Sequence, residues 1–280
     1  PVGAAGGAAD PPGQGGADDA QSVRSSSVAE TTDTGRMFPN LVNRVHQIDT
    51  SGIVALCIRE HCLIPTADIE PGPSELASGR HWLVKAGSWK GTPVAIKYAR
   101  GSFGDLSKGE SMILNELRML RLVRHPCLVQ FLGVLVSPST NEFSLIVESA
   151  QAPDLCAYLG SPSRVATHRT PSEVERSWVL SQICWVMRHL HTHDPPIVHG
   201  SLKDTNIVVE KSSDIGTANP KVKVLDLGFA QMRTTSQTRA RAGRSWRYKA
   251  PELWPLDPPA PALAMDIFAL GGLMFLLASD

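Results

Sequence analysis

The chain has 280 residues, 42% of them apolar and 19% charged, with 27 Lys and Arg balanced by 27 Asp and Glu. This is material for one large or two small domains, and a formal net charge of zero excludes bulk attraction to nucleic acid or to an anionic membrane. Cys57, Cys62, Cys127, Cys156 and Cys184 are scattered, odd in number and form no C-x-x-C pair, so a reducing, cytoplasmic setting is expected rather than a disulfide framework or a zinc site.

Residues 1–36 are rich in Gly, Ala, Ser, Asp and Pro and nearly free of large apolar side chains. Such a segment buries too little surface to offset its ordering entropy, so a disordered tail is expected. No signal peptide opens the chain, and a start at Pro1 is expected not to be the native one. Residues 37–71 form an N-terminal extension in which "LVNRVHQ" and "SGIVALCIREHCLI" suggest short helices without evident chemistry.

Strands dominate next, over 72–150, with residues 75–98 reading as the first of them. "WLVKAG" and "TPVAIKYA" are short, with Gly91 and Thr92 between them as turn material, and "CLVQFLGVLV" and "FSLIVE" give two more. Between these pairs, residues 111–124 show the helical stripe Ile113, Leu117, Leu120. Helices dominate 151–280. Thr170-Pro171-Ser172-Glu173 predicts a helix start, with Thr170 as cap and Pro171 as first residue, and Val179, Ile183, Val186 and Leu190 continue the stripe until Pro195-Pro196. The run Ala262–Ala278 is almost wholly apolar, but it is short, contains Asp266 and lacks basic flanks, so a buried core helix is expected and no membrane span. This order predicts a small sheet domain followed by a mainly helical one, with a cleft between them.

The chemistry-bearing residues fall around that cleft. In "VAIK" (94–97), strand alternation puts Ala95 and Lys97 on one face, leaving room for a flat ring beside a cation. Glu116 sits within the apolar stripe of the next helix, where a carboxylate is costly unless paired, and Lys97 is the available partner. A glutamate at the stripe's edge, facing water, is the plainer alternative. "IVHGSLKDTNIVV" (197–209) is a polar loop between apolar runs, and "KVKVLDLGFA" (221–230) ends a strand at Asp226 with Gly228 just beyond. Asn206 and Asp226 make a plausible oxygen-ligand pair for Mg²⁺.

Taken in order, Lys97, Glu116, the 199–206 loop, Asp226-Leu227-Gly228 and Ala250-Pro251-Glu252 resemble the protein-kinase signature set. "RHPCLVQFLG" and "DIFALGG" add to the likeness, which covers residues 72–280, and "GSWKGTPVAIK" looks most like the tyrosine-kinase-like branch. The resemblance implies an α+β fold of two lobes, a small antiparallel β lobe over 72–150 and a helical lobe over 151–280 that ends in its central helix and is therefore incomplete. It implies ATP and Mg²⁺ as cofactors and a protein as substrate or partner. Lys97 would contact the phosphates and pair with Glu116, while Asn206 and Asp226 would hold Mg²⁺. Val84 and Ala95 would sandwich the adenine, the backbone from Glu148 to Ala150 would bond its edge, and Val147 would close the back of the pocket. Lys203 would belong to the catalytic loop.

Three positions depart from the family's pattern. Ser201 stands where the family has an Asp that accepts or orients the substrate proton, and a loss of general-base help is typically about 10²–10⁴-fold. Asp204 is near but is expected to face elsewhere. The glycine-rich loop reads Ala77-Ser78-Gly79-Arg80-His81-Trp82-Leu83-Val84, with only Gly79 kept, and Trp82 would cover phosphates badly, fill the cleft or pack on a strand. Gly200 replaces the arginine that reads activation-segment phosphorylation, so a phosphate at Thr234, Thr235, Ser236 or Thr238 would lack that reader. Arg233, Arg239, Arg241, Arg244 and Arg247 form a basic run that is either a solvated loop or a dock for an acidic partner. Glu252 would pair with an arginine beyond Asp280, and the last helix would expose an apolar patch. The expectation is a pseudokinase that binds ATP and acts as scaffold or allosteric regulator. A slow but active Ser/Thr kinase, favoured by Lys203 and Ser245, and a fragment that does not fold alone are the alternatives.

Overall fold

The structure is a computed structural model and describes residues 50–99, 106–137, 142–160, 170–210, 219–233, 246–255, 257–260 and 262–279. The expected tail over 1–36, the stretch "LVNRVHQ", and Thr234, Thr235, Ser236, Thr238, Arg239, Arg241, Arg244 and Ser245 lie outside them.

The first half builds a five-stranded antiparallel sheet in the order β1-β2-β3-β5-β4. Its strands are β1 (Ile69–Ser78), β2 (Trp82–Trp89), β3 (Thr92–Ala99), β4 (Phe131–Val136) and β5 (Phe143–Glu148). The β2–β3 hairpin turns on Lys90 and Gly91, both at positive φ (49° and 84°), the pairing that matches the twist of a tight hairpin. Thr92 belongs to the strand rather than the turn. β1 starts earlier than the sequence suggests, passing through Pro71-Gly72-Pro73, where its register with β2 shifts. Proline removes a ladder donor and is tolerated on an edge strand, which is where β1 lies.

The two faces of this sheet do different things. Val84 lies opposite Lys97, and Ala95 opposite both Ala86 and Val147. Cross-strand partners share a face, so Trp82, Val84, Ala95, Lys97 and Val147 line one side. Val94, Ile96 and Ile146 occupy the other and pack with Ile64, Ile69 and Leu135 in a small core of their own.

That outer core depends on the N-terminal extension. Helix α1 (Thr50–Arg59) buries Cys57 fully in the main core and leads into a segment that runs along β4. The Ile64 N–H donates to the Val134 carbonyl at 2.8 Å, and the Val134 N–H donates to the Cys62 carbonyl at 2.8 Å. Gly133 permits this approach, since a Cβ there would lie 2.6 Å from Ile64 Cγ1 and 2.7 Å from the Cys62 oxygen. Glu60 forms an ion pair with Arg121 of helix α2 (Leu106–Leu122).

α2 buries Ile113, Leu117 and Leu120 together with Glu116. The second half is mainly helical: α3 (Leu155–Tyr158), α4 (Glu173–His191) and α5 (Leu263–Ala278), with the two-stranded pairs β6 (Ile197–Val198) with β9 (Gln231–Met232) and β7 (Ile207–Glu210) with β8 (Lys221–Val224). The cap of α4 is Ser172, not Thr170. The Ser172 hydroxyl accepts from the Glu175 N–H, and the Glu175 carboxylate accepts from the Ser172 N–H. Ser-x-x-Glu satisfies two orphan donors at once, so it takes the start of the helix and leaves Pro171 ahead of it. α5 buries Met265, Asp266, Ala269, Leu273 and Leu277 but leaves Ile267, Phe268, Met274 and Phe275 exposed. It is thus a core helix on one face only, and no described helix is long and apolar enough to cross a membrane.

Candidate active site

The centre of the cleft is one ammonium held between two carboxylates. Lys97 Nζ lies 2.5 Å from Glu116 Oε2 and 2.9 Å from Asp226 Oδ1, and all three side chains are buried. The structure therefore brings Lys97 and Glu116 together across β3 and α2 rather than leaving Glu116 in water. Burial lowers the lysine's proton affinity, but Asp226 and Glu116 outweigh it, so Lys97 stays protonated well above its usual range. Burial likewise pushes Asp226 up, but Lys97 reverses this and holds the carboxyl below its ordinary value. Glu116 is pushed up, by burial first and by the neighbouring Asp226 charge, against the pull of Lys97.

Asp226 takes a left-handed backbone conformation (φ 66°), uncommon for a residue with a side chain. Leu227, just after it, is fully buried in the main core. Asn115 fixes this turn from α2: its amide nitrogen lies 3.1 Å from the Gly228 carbonyl oxygen and 2.8 Å from that of Ala230. Gly228 leaves room for the carboxylate, because a Cβ there would lie 3.2 Å from Asp226 Oδ1.

The 199–206 loop lies against this triad. The Asn206 amide nitrogen donates to the Ser201 carbonyl at 2.7 Å and to Ser201 Oγ at 3.1 Å, and it lies 3.4 Å from Asp226 Oδ2. Its nitrogen is thus turned both to Ser201 and to Asp226. Ser201 and Asn206 are buried, and Lys203 is close enough to Asp226 to help lower its pKa. Asp204 faces elsewhere: it accepts from the Thr205 N–H at 2.8 Å and from the Tyr248 phenol, whose pKa rises through burial and then through this carboxylate.

Asp266 anchors the loop from behind. Its carboxylate accepts the backbone N–H of His199 at 2.7 Å and that of Gly200 at 2.9 Å, and it lies 3.0 Å from His191 Nε2. Gly200 sits at φ 72°, a conformation that glycine adopts without steric cost. His199 is fully buried, and burial depresses its pKa, so it is a neutral ring whose Nδ1 accepts the Ser201 N–H at 3.2 Å. Sequence reasoning used Asp266 as an argument against a membrane span and as part of the "DIFALGG" likeness; a carboxylate inside so apolar a run was also the signal that something must pair with it. Asn115 gave no comparable signal.

On the opposite wall, Val84, Ala95 and Val147 share the face that carries Lys97. Glu148 ends β5, its carboxylate 2.6 Å from Lys223 Nζ and accepting the Gln130 N–H at 2.8 Å, and Ala150 follows two residues on. Gly79 closes a tight turn, its N–H donating to the Trp82 carbonyl at 2.9 Å. The Trp82 ring centroid lies 4.9 Å from Lys97 Nζ.

A buried lysine paired to a helix carboxylate, an Asp at a strand end and an Asn on a neighbouring loop are the parts of a phosphoryl-transfer site. A family model described as "Protein kinase domain" matches residues 78–280, and the chain belongs to that family. It is 30% identical over 203 residues to a probable serine/threonine-protein kinase of Dictyostelium discoideum, an alignment covering 71% of this chain and 30% of the relative. It is 28% identical over 218 residues to the probable serine/threonine-protein kinase SIS8 of Arabidopsis thaliana, covering 76% of this chain and 19% of that one. It is 28% identical over 239 residues to the dual specificity protein kinase splA of Dictyostelium discoideum, covering 80% and 9%. The chain thus spans less than a third of the length of these relatives. The family match begins at Ser78, so α1, the segment along β4 and nearly all of β1 lie ahead of it.

ATP and Mg²⁺ are the family's usual cofactors, and the two halves of the site suit them unequally. Asp226, buried just past the end of β8, suits a hard cation that takes one or two protein oxygens, and Asn206 beside it would join once its amide turned its oxygen to the ion. The turn at Gly79, with Trp82 beneath it, is a poor cradle for phosphate as it stands.

Proposed function

We propose that this domain is a pseudokinase of the tyrosine-kinase-like branch, which retains a nucleotide site but transfers phosphate poorly and works by regulating or scaffolding a protein partner. The observation that carries this is Ser201. The residue at the place of the family's proton acceptor is a buried hydroxyl engaged by Asn206, and Asp204, the nearest carboxylate in the loop, is turned to Tyr248. A serine hydroxyl is not ionised near neutral pH and cannot act as that base.

Bound Mg²⁺–ATP would supply the phosphoryl group. Lys97 would hold the phosphates, Glu116 would keep Lys97 extended, and Asp226 with Asn206 would hold the metal. Val84, Ala95 and Val147 would enclose the base, with the backbone of Glu148 to Ala150 along its edge. Lys203, beside Asp226, would steady the charge of the loop.

The second reading, a slow Ser/Thr kinase, is favoured by the assembled Lys97–Glu116 pair and by the relatives described as serine/threonine kinases. One experiment separates them. The chain is incubated with labelled ATP, Mg²⁺ and a generic protein substrate, beside the Ser201→Asp and Asp226→Ala variants. The proposal expects background transfer by the parent and a rise of about 10²-fold or more with Ser201→Asp. Robust parent activity that disappears in Asp226→Ala would overturn it in favour of the kinase.

A further inference from the structure

The space between the Gly79 turn and the Lys97 ammonium is filled by a ring. Trp82 shares a sheet face with Val84 and Lys97. On one side its indole is tucked under the turn: a Cβ on Gly79 would lie 2.7 Å from Trp82 Cε2, 2.8 Å from Nε1 and 3.0 Å from Cζ2. On the other side the ring centroid is 4.9 Å from Lys97 Nζ, within the range of cation–π attraction. An ammonium has three hydrogens, and the Glu116 and Asp226 carboxylates take two of them. The face of the indole stands over the same cation.

We propose that Trp82 is a stopper at the phosphate end of the cleft, so that the closed state admits a flat heteroaromatic base but excludes its triphosphate until the indole swings off Lys97. This rests on the nucleotide-site reading above and specifies which part of the nucleotide the site discriminates against. A triphosphate must displace the ring to reach Lys97, whereas a nucleoside, seated against Val84 and Ala95, need not. Apparent affinity for the triphosphate is therefore reduced by the fraction of molecules in which the ring has left.

Gly79 offers an independent handle. A methyl group there meets only the indole among its nearest neighbours, so Gly79→Ala presses the same ring further toward Lys97 without changing it.

The test is calorimetric titration of the 280-residue chain with Mg²⁺–ATP and, separately, with adenosine, for the parent, Trp82→Ala, Trp82→Phe and Gly79→Ala. Trp82→Ala is expected to bind ATP about three- to thirtyfold more tightly than the parent and Gly79→Ala no more tightly than the parent, with adenosine changed by less than about twofold and Trp82→Phe close to the parent. The tryptophan emission lost in Trp82→Phe should become more quenchable by acrylamide when the parent is saturated with ATP. Equal ATP affinity in the parent and in Trp82→Ala would overturn the stopper while leaving nucleotide binding intact. So would equal tightening for adenosine and ATP. If no variant binds either ligand, stopper and nucleotide site fall together; if only Trp82→Ala binds ATP, both stand. Should Trp82→Ala fail to fold, Trp82→Val, which removes the ring and suits a strand, carries the comparison.

Discussion

Lys97 is one cation shared by two buried carboxylates, and removing it takes away the only ion-pair partner that either has among the described residues. Lys97→Met should therefore cost about 3–5 kcal/mol at neutral pH, the range for breaking a buried pair by deleting one partner. The pH dependence has a definite sign. In the parent, Asp226 has a depressed pKa, so its stabilisation is present above the ordinary carboxylate range and is lost as pH falls through the folded value. Without Lys97, Asp226 is raised instead and Glu116 is raised further, and acidification relieves them. The gap between parent and variant should narrow from pH 7 to pH 5 in urea unfolding, and a constant gap would show that the charge pairing is not its origin. At this scale the sequence was most informative where a polar side chain interrupted an apolar pattern, as at Glu116. The same signal was present at Asp266, but it said only that a partner must exist, not that the partners are backbone N–H groups of a loop far away in the chain. Trp82 marked a departure from pattern, yet the direction of its ring depends on the turn at Gly79 and on Lys97 together, which no local pattern encodes.

Among the elements, the N-terminal extension does more than its bland sequence suggests. It extends the sheet beyond β4, covers the outer face carrying Ile96 and Ile146, and pairs Glu60 with Arg121 of the helix that holds Glu116. Gly133 is the contact on which this depends. Gly133→Ala should lower stability by about 1–3 kcal/mol, because its methyl meets the backbone oxygen of Cys62 as well as the end of Ile64. A denaturation midpoint unchanged from the parent would mean that the extension yields without loss. Two element boundaries were misread for physical reasons. β1 passes through prolines because an edge strand can spare a donor, and α4 starts at Ser172 because the Ser-x-x-Glu box outranks the Thr-Pro pair before it. The β2–β3 hairpin was legible because short alternating strands and a glycine turn are decided locally.

For the molecule as a whole, the open face of α5 is the main liability. Ile267, Phe268, Met274 and Phe275 recur at the spacing of one helical face, and Phe275 is 76% exposed. Patches of this kind drive association. Light scattering of the 280-residue chain should rise with concentration, and Phe268→Glu with Phe275→Glu should suppress the rise while changing stability by under about 1 kcal/mol. Scattering that the double variant leaves unaltered would locate the association elsewhere.

Asp266 carries one more implication. The loop with Ser201 is hung from α5 by its own backbone, through the N–H groups of His199 and Gly200, and not by the side chain at 201. Mount and tool are therefore separate parts. A lineage could exchange the reactive group at that position, or give it up, without the bracket losing its place, and the way back would be one codon long rather than a rebuilding of the fold.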